Sequence, residues 1–321
     1  MSDLRKLKFV LFGLALVVFV LAVWNLAAMP ADKTKPASPE KATQAKDAAQ
    51  YVGVESCKAC HEDVPAKNFF KNFEVTPHWQ TTLDTRRGSE FQGCEACHGP
   101  GSEHMAAGGD KSKIFTFKAA KSEDVTERCM KCHQYSEEHS NFARSRHNTN
   151  QVNCASCHSI HAAKEKNFLL QARQPLICYS CHLETKPDFS RPFRHRVNEG
   201  LVKCTDCHNP HGGFLLRQLR STPTQDAVCF KCHVEKAGPF VYEHHVVRIE
   251  GCVACHTPHG SSNPRLLRRA QVNLLCLECH TLTGGGLPPV GPNHDQSQKY
   301  VSCTLCHVTI HGSNSSAVFF K

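Results

Sequence analysis

The sequence predicts a mostly irregular fold of short α-helices, arranged as an extended array of repeated modules built around bound groups. Three observations predict it. The 20 cysteines all fall into one motif that recurs ten times, the motifs from the third onward follow one another at intervals of 23 to 27 residues, and residues 51–321 supply only about 27 residues per motif. That is too little chain for an ordinary apolar core, so the bound groups are expected to form the core.

The recurring motif is Cys-x-x-Cys-His, the attachment sequence of c-type haem. Thiols at positions i and i+3 lie on one face of a short helix, so both can form thioethers with one porphyrin. The histidine at i+4 lies on the same face and reaches the iron as the proximal ligand. The predicted attachment residues of ten covalently bound c-type haems are Cys57, Cys60, Cys94, Cys97, Cys129, Cys132, Cys154, Cys157, Cys178, Cys181, Cys204, Cys207, Cys229, Cys232, Cys252, Cys255, Cys276, Cys279, Cys303 and Cys306. The predicted proximal ligands are His61, His98, His133, His158, His182, His208, His233, His256, His280 and His307.

Other uses of paired cysteines fit less well. Zinc sites also use Cys-x-x-Cys pairs, but tetrahedral zinc does not require a histidine directly after every pair. Thioredoxin-like redox pairs need alternating strands and helices around a single motif. Structural disulfides would not place their cysteines only at i and i+3.

Twelve of the 22 histidines lie outside the motifs, and ten of them are predicted distal ligands of the irons. Four follow a motif closely, four lie seven to nine residues before one, and two fill the corresponding gaps near the first two motifs. In that order they are His161, His211, His259 and His311; His147, His195, His245 and His294; and His78 and His104. His245 is chosen over its neighbour His244 because its offset matches that of His147. His139 and His244 are expected to be ordinary exposed or hydrogen-bonded side chains, and the spacing leaves open which distal histidine serves which motif.

The modules themselves repeat. From the fourth motif, first cysteines recur in pairs at intervals of 50, 48 and 51 residues. An apolar step recurs after the Cys-His-x-x-His segments, at Phe168–Leu170, Phe214–Leu216 and Leu266–Leu267. Longer helices are predicted at Glu62–Phe73 and Glu123–Arg144, and no alternating strand pattern is present. Such arrays are quasi-linear because each module mainly contacts its neighbours.

Residues 1–29 are predicted to be an export signal or membrane anchor. Arg5, Lys6 and Lys8 precede sixteen apolar residues from Phe9 to Trp24, and basic residues at this position keep the N-terminus in the cytoplasm. The apolar run reaches a spanning length of about 20 residues only with residues 25–29 included. An anchor retained over residues 9–29 is favoured, and a cleaved signal is the alternative. Residues 30–50 read as a flexible linker, and residues 51–321 as a decahaem electron-transfer domain.

The charge balance excludes one function class. The chain carries 38 Lys and Arg against 29 Asp and Glu, a net charge of +9. Each ferric haem would add a net single negative charge through its two propionates, so ten haems would roughly cancel this excess. The basic residues are therefore expected near propionates, and nucleic acid is not an expected partner.

The segments YVGVESCKACH, CEACHGPGSEH, CHNPHG and CHTPHG carry a family resemblance. Residues 51–312 resemble the DmsE-like, Mtr-type periplasmic decahaem cytochromes. The resemblance implies a row of ten low-spin, bis-histidine haems that forms a wire. In the best-known members this wire threads an outer-membrane β-barrel and passes electrons from the periplasm to surface cytochromes, metal oxides or an electrode. A retained inner-membrane anchor would conflict with that location, since a 20-residue linker extends at most about 70 Å.

The expected function is electron conduction along the haems rather than catalysis, because a six-coordinate haem has no open position for a substrate. The favoured role is a conduit from the periplasm toward or across the outer membrane. Its expected partners are an inner-membrane quinol dehydrogenase or periplasmic cytochrome as donor, an outer-membrane β-barrel porin and a surface cytochrome. An anchored or soluble periplasmic shuttle to a reductase is the alternative, while a multihaem reductase and a cytochrome filament are less favoured.

Overall fold

The computed structural model describes residues 49–64, 67–220, 226–280 and 301–321, all of which belong to one unit that spans Ala49–Lys321. The predicted signal or anchor, most of the predicted linker, and His294 lie outside the described residues. Among the residues that are described, no helix has the length and apolar character needed to cross a membrane.

Short helices make up most of the regular structure. The α-helices are α1 (Val54–His61), α2 (Phe69–Glu74), α3 (Gln80–Leu83), α4 (Glu95–His98), α5 (Ser102–Ala106), α6 (Ser122–His133), α7 (Arg146–Thr149), α8 (Leu176–Tyr179), α9 (Thr185–Asp188), α10 (Cys204–Cys207), α11 (Ala227–Phe230), α12 (His245–Ile249) and α13 (Val272–Leu277). The 3₁₀ turns are Pro77–Trp79, Ser89–Phe91, Lys111–Lys113, Phe142–Arg144, Cys154–Ser156, Lys166–Phe168, Leu216–Gln218, Val234–Lys236, Cys252–Ala254, Pro264–Leu266 and Cys303–Leu305. Strands β1 (Tyr242–Glu243) and β2 (Gly312–Ser313) pair antiparallel. The predicted class, mostly irregular with short helices, is confirmed in these outlines.

The two longer helices predicted from the sequence are shorter in the structure. The first prediction, 62–73, is wrong because α1 ends at His61 and the chain resumes helix only at Phe69, after Asn68 adopts a left-handed φ of 44°. The second, 123–144, ends at His133, where the Ser136 N–H bonds the His133 carbonyl and turns the chain. Glu123 and Asp124 in the first turn of α6 favour the helix because they complement its dipole.

Apolar burial within the described residues is confined to small groups. The buried apolar side chains are Phe70, Phe73, Val125, Phe142, Tyr179, Phe189, Val197 and Val228. Only Tyr179, Phe189 and Val197 form a cluster of buried residues. The polypeptide of this part of the chain therefore supplies no continuous core of its own, as the small number of residues per motif predicts.

A repeated return loop follows four of the motifs. The chain leaves each motif, turns through a residue with a left-handed backbone, and comes back to bond the first residues after the motif. The left-handed residues are Leu169 (φ 53°), Gln218 (54°), Leu266 (59°) and Phe319 (63°). Their carbonyls accept hydrogen bonds from the N–H groups of Ser159, Asn209, Thr257 and Thr309.

The return loop corrects the sequence alignment of the repeats. The structural counterpart of Phe168–Leu170 is 217–219. The Gln218 carbonyl accepts the Asn209 N–H as the Leu169 carbonyl accepts the Ser159 N–H. Leu219 also pairs with His208 as Leu170 pairs with His158. The apolar step predicted at Phe214–Leu216 is therefore not equivalent. Leu216 is 82 % exposed, so the register of the loop is set by backbone hydrogen bonds rather than by apolar burial.

Candidate haem-binding site

Each motif, numbered 1 to 10 in chain order, closes one helical turn. In eight motifs the backbone N–H of the histidine donates to the carbonyl of the first cysteine at 2.9–3.0 Å, and in motifs 1 and 3 the histidine ends α1 and α6. This i to i−4 bond places both thiols and the imidazole on one side of the turn. The local geometry therefore suits attachment of one porphyrin through two thioethers with the histidine below it.

Within the described residues, nine of the ten motif histidines face a histidine from elsewhere in the chain, at ring-centre distances of 5.9–6.4 Å. The pairs are His61 with His104 (6.2 Å), His98 with His161 (6.4 Å), His133 with His78 (5.9 Å), His158 with His211 (6.0 Å), His182 with His147 (6.2 Å), His208 with His259 (6.1 Å), His233 with His195 (6.3 Å), His280 with His244 (6.2 Å) and His256 with His311 (6.2 Å). No histidine is used in two pairs.

These distances fit two trans ligands of one metal ion. With metal–imidazole bonds of about 2.0 Å and about 1.1 Å from each nitrogen to its ring centre, opposed ligands have ring centres about 6.2 Å apart. Imidazoles in direct contact have no reason to adopt this separation nine times. The residues present therefore fit six-coordinate haem iron, with two histidines to each iron.

The histidines nearest to a motif in the sequence are not the ones that face the histidine of that motif. In each of the nine pairs, at least one other motif lies between the two histidines along the chain. His161, which follows motif 4 by three residues, faces His98 of motif 2, and His147, which precedes motif 4, faces His182 of motif 5. A histidine on the same short turn as the proximal ligand cannot reach the opposite side of the same iron, so it serves another module.

The structure differs from the sequence-based choice at His245. His244 faces His280, and its ring also donates a hydrogen bond to the backbone carbonyl of Ile310. His244 precedes α12 in an extended conformation, whereas His245 is the first residue of the helix and is exposed. Adjacent side chains diverge at a helix start, so only one of the two can face His280.

Backbone carbonyls fix the orientation of eight of the predicted ligand rings. A neutral imidazole that donates from Nδ1 keeps the Nε2 lone pair free for a metal. Nδ1 lies 2.6–2.9 Å from a carbonyl in proximal histidines 98, 158, 208, 256 and 307 and in distal histidines 104, 147 and 195. For His158, His208, His256 and His307 the carbonyl belongs to the return loop, at residues 168, 217, 265 and 318. The loop therefore holds the proximal ring ready for iron.

Burial reinforces the neutral state of the distal rings. Burial lowers the pKa of His211 to about 4 and that of His311 to about 4, and nearby imidazoles act in the same direction. Burial also lowers the pKa of His78, His161 and His259. A neutral imidazole is the form that binds a metal, so these rings are in the ligating state at neutral pH.

His139, expected from the sequence to be an ordinary side chain, lies between two of the pairs. Its ring centre is 5.2 Å from that of His133 and 4.5 Å from that of His211. Phe69 holds the corresponding place between His61, at 6.2 Å, and His161, at 5.1 Å. His139 therefore fills the position of an aromatic spacer between two ligand pairs.

Neighbouring motifs contact one another through equivalent cysteines. First cysteines interact in the order Cys57 with Cys94, Cys129 with Cys154, Cys178 with Cys204, Cys229 with Cys252 and Cys276 with Cys303. The hydrogen bond that the Cys94 thiol donates to Cys57 raises the pKa of Cys94, and burial together with Cys303 raises the pKa of Cys276 to about 12. Second cysteines lie near the cysteines of the following motif, as Cys97 does with Cys132 and Cys157 with Cys181. The motifs therefore follow one another in space in the order of the chain.

Three carboxylates that the sequence analysis does not predict support these sites. Buried Glu95, inside motif 2, accepts the N–H groups of residues 52, 53 and 101 at 2.8–3.0 Å. Buried Asp226 accepts the Cys252 N–H at 3.0 Å. Glu138 contacts His211. The sequence gives no signal for any of them, since their partners are distant backbone groups or a histidine of another module.

The comparisons with known proteins agree with this geometry. A family model described as "Doubled CXXCH motif" matches residues 195–238 and 244–284, and one described as "Cytochrome c-type protein NrfB-like" matches residues 94–181. The chain is 34 % identical over 278 residues to "Multiheme cytochrome MtrA" of Shewanella baltica, covering 82 % of this chain and 79 % of that protein. It is 24 % identical over 281 residues to "High-molecular-weight cytochrome c" of Nitratidesulfovibrio vulgaris, covering 73 % of this chain and 49 % of that protein. The chain thus belongs to the family of MtrA-like multihaem c-type cytochromes, which are electron-transfer proteins.

Proposed function

We propose that the protein is a decahaem conductor, in which ten covalently attached haems, each held by two histidines, pass electrons along a row. The observation that carries this proposal is the set of nine histidine pairs at ring-centre distances of 5.9–6.4 Å, one at each of nine motifs. The contacts between cysteines of successive motifs support a continuous row, because they bring each attachment site next to the following one.

The paired histidines favour electron transfer over catalysis. Haem iron supplies one-electron chemistry when bound, and two strong imidazole ligands keep its coordination the same in both oxidation states. The chain contributes the second ligand, the carbonyls that orient both rings, and the burial that keeps the rings neutral. With both axial positions filled, a substrate finds no place to bind, so the protein is proposed to be an electron carrier and not a reductase.

The proposed distal ligands are His104, His161, His78, His211, His147, His259, His195, His311 and His244 for motifs 1 to 9 in order. For motif 10 the proposed ligand is His294, the histidine predicted from the sequence that lies outside the described residues. The support for this assignment is that every other predicted distal histidine except His245 faces one of motifs 1 to 8.

The proposed location of the row is the periplasmic side of a bacterial envelope, reaching toward or across the outer membrane. The resemblance of residues 51–312 to Mtr-type cytochromes supports this conduit role. The same resemblance implies a quinol dehydrogenase or periplasmic cytochrome as electron donor, and a β-barrel porin and a surface cytochrome as further partners. An anchored or soluble periplasmic shuttle to a reductase is the second candidate, favoured by the apolar run of residues 9–24 after three basic residues.

Two experiments test the proposal. The intact mass of the holoprotein counts the attached haems, and carbon monoxide added to the reduced protein reports any iron that lacks a second ligand. We expect ten haems and no stoichiometric binding. Purification from native membranes, with determination of the N-terminal residue and of any co-purifying β-barrel, tests the location. A mature start at Met1 together with inner-membrane fractionation would exclude the outer-membrane conduit.

A further inference from the structure

Glu138 and Arg220 form a polar network on one of the paired histidines. Oε1 of Glu138 lies 3.3 Å from Nδ1 of His211. Arg220 donates to both oxygens of the same carboxylate, from Nη2 to Oε1 at 2.7 Å and from Nη1 to Oε2 at 3.0 Å. The Nε of Arg220 bonds the carbonyls of Thr205 and His208, which ties the network to motif 6.

Carboxylates also lie near His259 and His311, those of Asp188 and Glu235, but within the described residues no hydrogen bond joins them to the rings. The hydrogen-bonded carboxylate at His211 differs from these and from the acceptors of the other paired histidines. Seven of them, together with His307 of motif 10, place Nδ1 2.6–2.9 Å from a backbone carbonyl. His161, the counterpart of His211 at motif 2, has Nδ1 3.4 Å from the carbonyl of Phe69. His182 faces a carboxylate, that of Glu184 at 3.4 Å, but this side chain is 72 % exposed and screened by water. Glu138 and His211 are 39 % and 21 % exposed, so their interaction is less screened.

The direction of the hydrogen bond follows from the charge states. A ring that offers Nε2 to iron carries its one proton on Nδ1, and Nδ1 is the atom that faces Glu138. Arg220 donates to both oxygens of the Glu138 carboxylate, so this group is ionised and only accepts. His211 therefore donates from Nδ1, and Nε2 keeps its lone pair free.

A carboxylate acceptor changes the ligand that it touches. It draws the Nδ1 proton toward itself and makes Nε2 a stronger electron donor than a backbone carbonyl does. A stronger donor stabilises ferric iron more than ferrous iron and so lowers the reduction potential. Arg220 opposes this effect because it shares Oε1 and neutralises part of the carboxylate charge.

We propose that Glu138 is a positioning residue that orients His211 and lowers the reduction potential of the haem attached at Cys154 and Cys157, with Arg220 limiting the shift. The inference rests on the proposed ligation of that haem by His158 and His211. It places a step in potential near the middle of the row, where the fourth haem separates the first three from the rest.

Two substitutions of opposite expected sign test the proposal in the full-length holoprotein. Glu138→Gln keeps the size of the side chain and an acceptor oxygen but removes the charge. We expect the reduction potential of one haem to rise, so that the part of the redox titration belonging to that haem moves to higher potential. The expected change is about tenfold in the one-electron equilibrium constant, which corresponds to about 59 mV. Arg220→Gln frees the carboxylate, so the same part is expected to move to lower potential. The titration is followed by absorbance and by the low-spin ferric signals in electron paramagnetic resonance.

Asp84→Asn is the matched control, because Asp84 also pairs with an arginine, Arg86, at 2.8 and 3.0 Å, and its hydrogen bonds go to that residue. We expect its titration to match the wild type. An unchanged titration in Glu138→Gln, or shifts of the same sign in both variants, as a packing role would give, overturns the proposal.

The underlying ligation is tested separately with His211→Ala. If His211 is a ligand, this variant gains one haem that binds carbon monoxide when reduced, whereas Glu138→Gln stays low-spin. No such haem in His211→Ala would refute the ligation itself. Such a haem in His211→Ala, together with an unshifted Glu138→Gln titration, would refute only the tuning by Glu138.

Discussion

The imidazole rings of His244 and His280 lie with their centres 6.2 Å apart and their planes 25° from parallel, although motif 8 separates the two residues in the chain. The neighbour of His244, His245, is exposed at the first position of α12. The two adjacent histidines therefore provide a pair of substitutions that differ by one residue and should have opposite outcomes.

His244→Ala is expected to leave the haem attached at Cys276 and Cys279 with one axial ligand. The reduced variant should then bind one equivalent of carbon monoxide, seen as a difference spectrum, while His245→Ala should bind none. Carbon monoxide binding in His245→Ala alone would restore the assignment made from sequence spacing.

His139→Phe is expected to stabilise the protein. Nδ1 of His139 is buried, and within the described residues no hydrogen-bond partner meets it. A buried unsatisfied polar atom costs about 1–3 kcal/mol, so a phenylalanine, as found at Phe69, should raise the free energy of unfolding by about 1 kcal/mol. The visible spectrum should stay low-spin, because His139 is not a proposed ligand.

Phe69→His provides the reverse substitution at the equivalent position. It is expected to lower the unfolding midpoint in a thermal melt followed by circular dichroism. A drop in stability or the loss of a low-spin haem in His139→Phe would show that the imidazole has a role that a phenyl ring cannot fill.

Glu95→Gln is expected to destabilise the N-terminal module. The carboxylate is 4 % exposed and accepts three backbone N–H groups. Hydrogen bonds to charged groups contribute about 1.5–3 kcal/mol each, and a glutamine must also place its amide N–H₂ among donors. We expect a loss of about 2 kcal/mol in denaturant unfolding.

Glu62→Gln is the control for that measurement. Glu62 forms a surface pair with Lys58 at 3.4 Å and is 52 % exposed. Such i,i+4 pairs contribute about 0.3–0.5 kcal/mol. Equal losses in the two variants would contradict a special role for Glu95.

His294→Ala is expected to create a carbon monoxide binding site at the haem of motif 10. Three histidines outside the motifs are not among the ligands proposed for motifs 1 to 9. His139 lies between His133 and His211, and His245 is exposed, which leaves His294. His245→Ala again serves as the control. An unchanged spectrum in His294→Ala would mean that the last iron takes its second ligand elsewhere.

The parts of the site that the sequence predicts are those that depend on local spacing. Cys57, Cys60 and His61 are set by one helical turn, and the same holds for every motif, so the pattern alone predicts them. The short helices and the small core follow equally from the density of motifs. The attachment residues and proximal ligands remain predictions of the motif, with which the geometry of the described residues agrees.

The parts that the sequence does not predict depend on contacts between modules. The partner of His98 lies after motif 4, and no local spacing reveals this. The choice between His244 and His245 depends on where α12 begins, which is a matter of one residue. Glu138 meets His211 only because the chain folds back over more than 70 residues.

If the chain is exported from its N-terminus and ligated as proposed, the displacement of each partner histidine into another module would set an order of maturation. In a chain exported from its N-terminus, the second ligands of motifs 3, 5, 7 and 9 have already crossed the membrane when their haems are attached. Motifs 1, 2, 4, 6 and 8 must wait, because His211, for example, emerges only after motif 6. From motif 2 to motif 9, haems held half-ligated until a later stretch of chain arrives would thus alternate with haems completed at once.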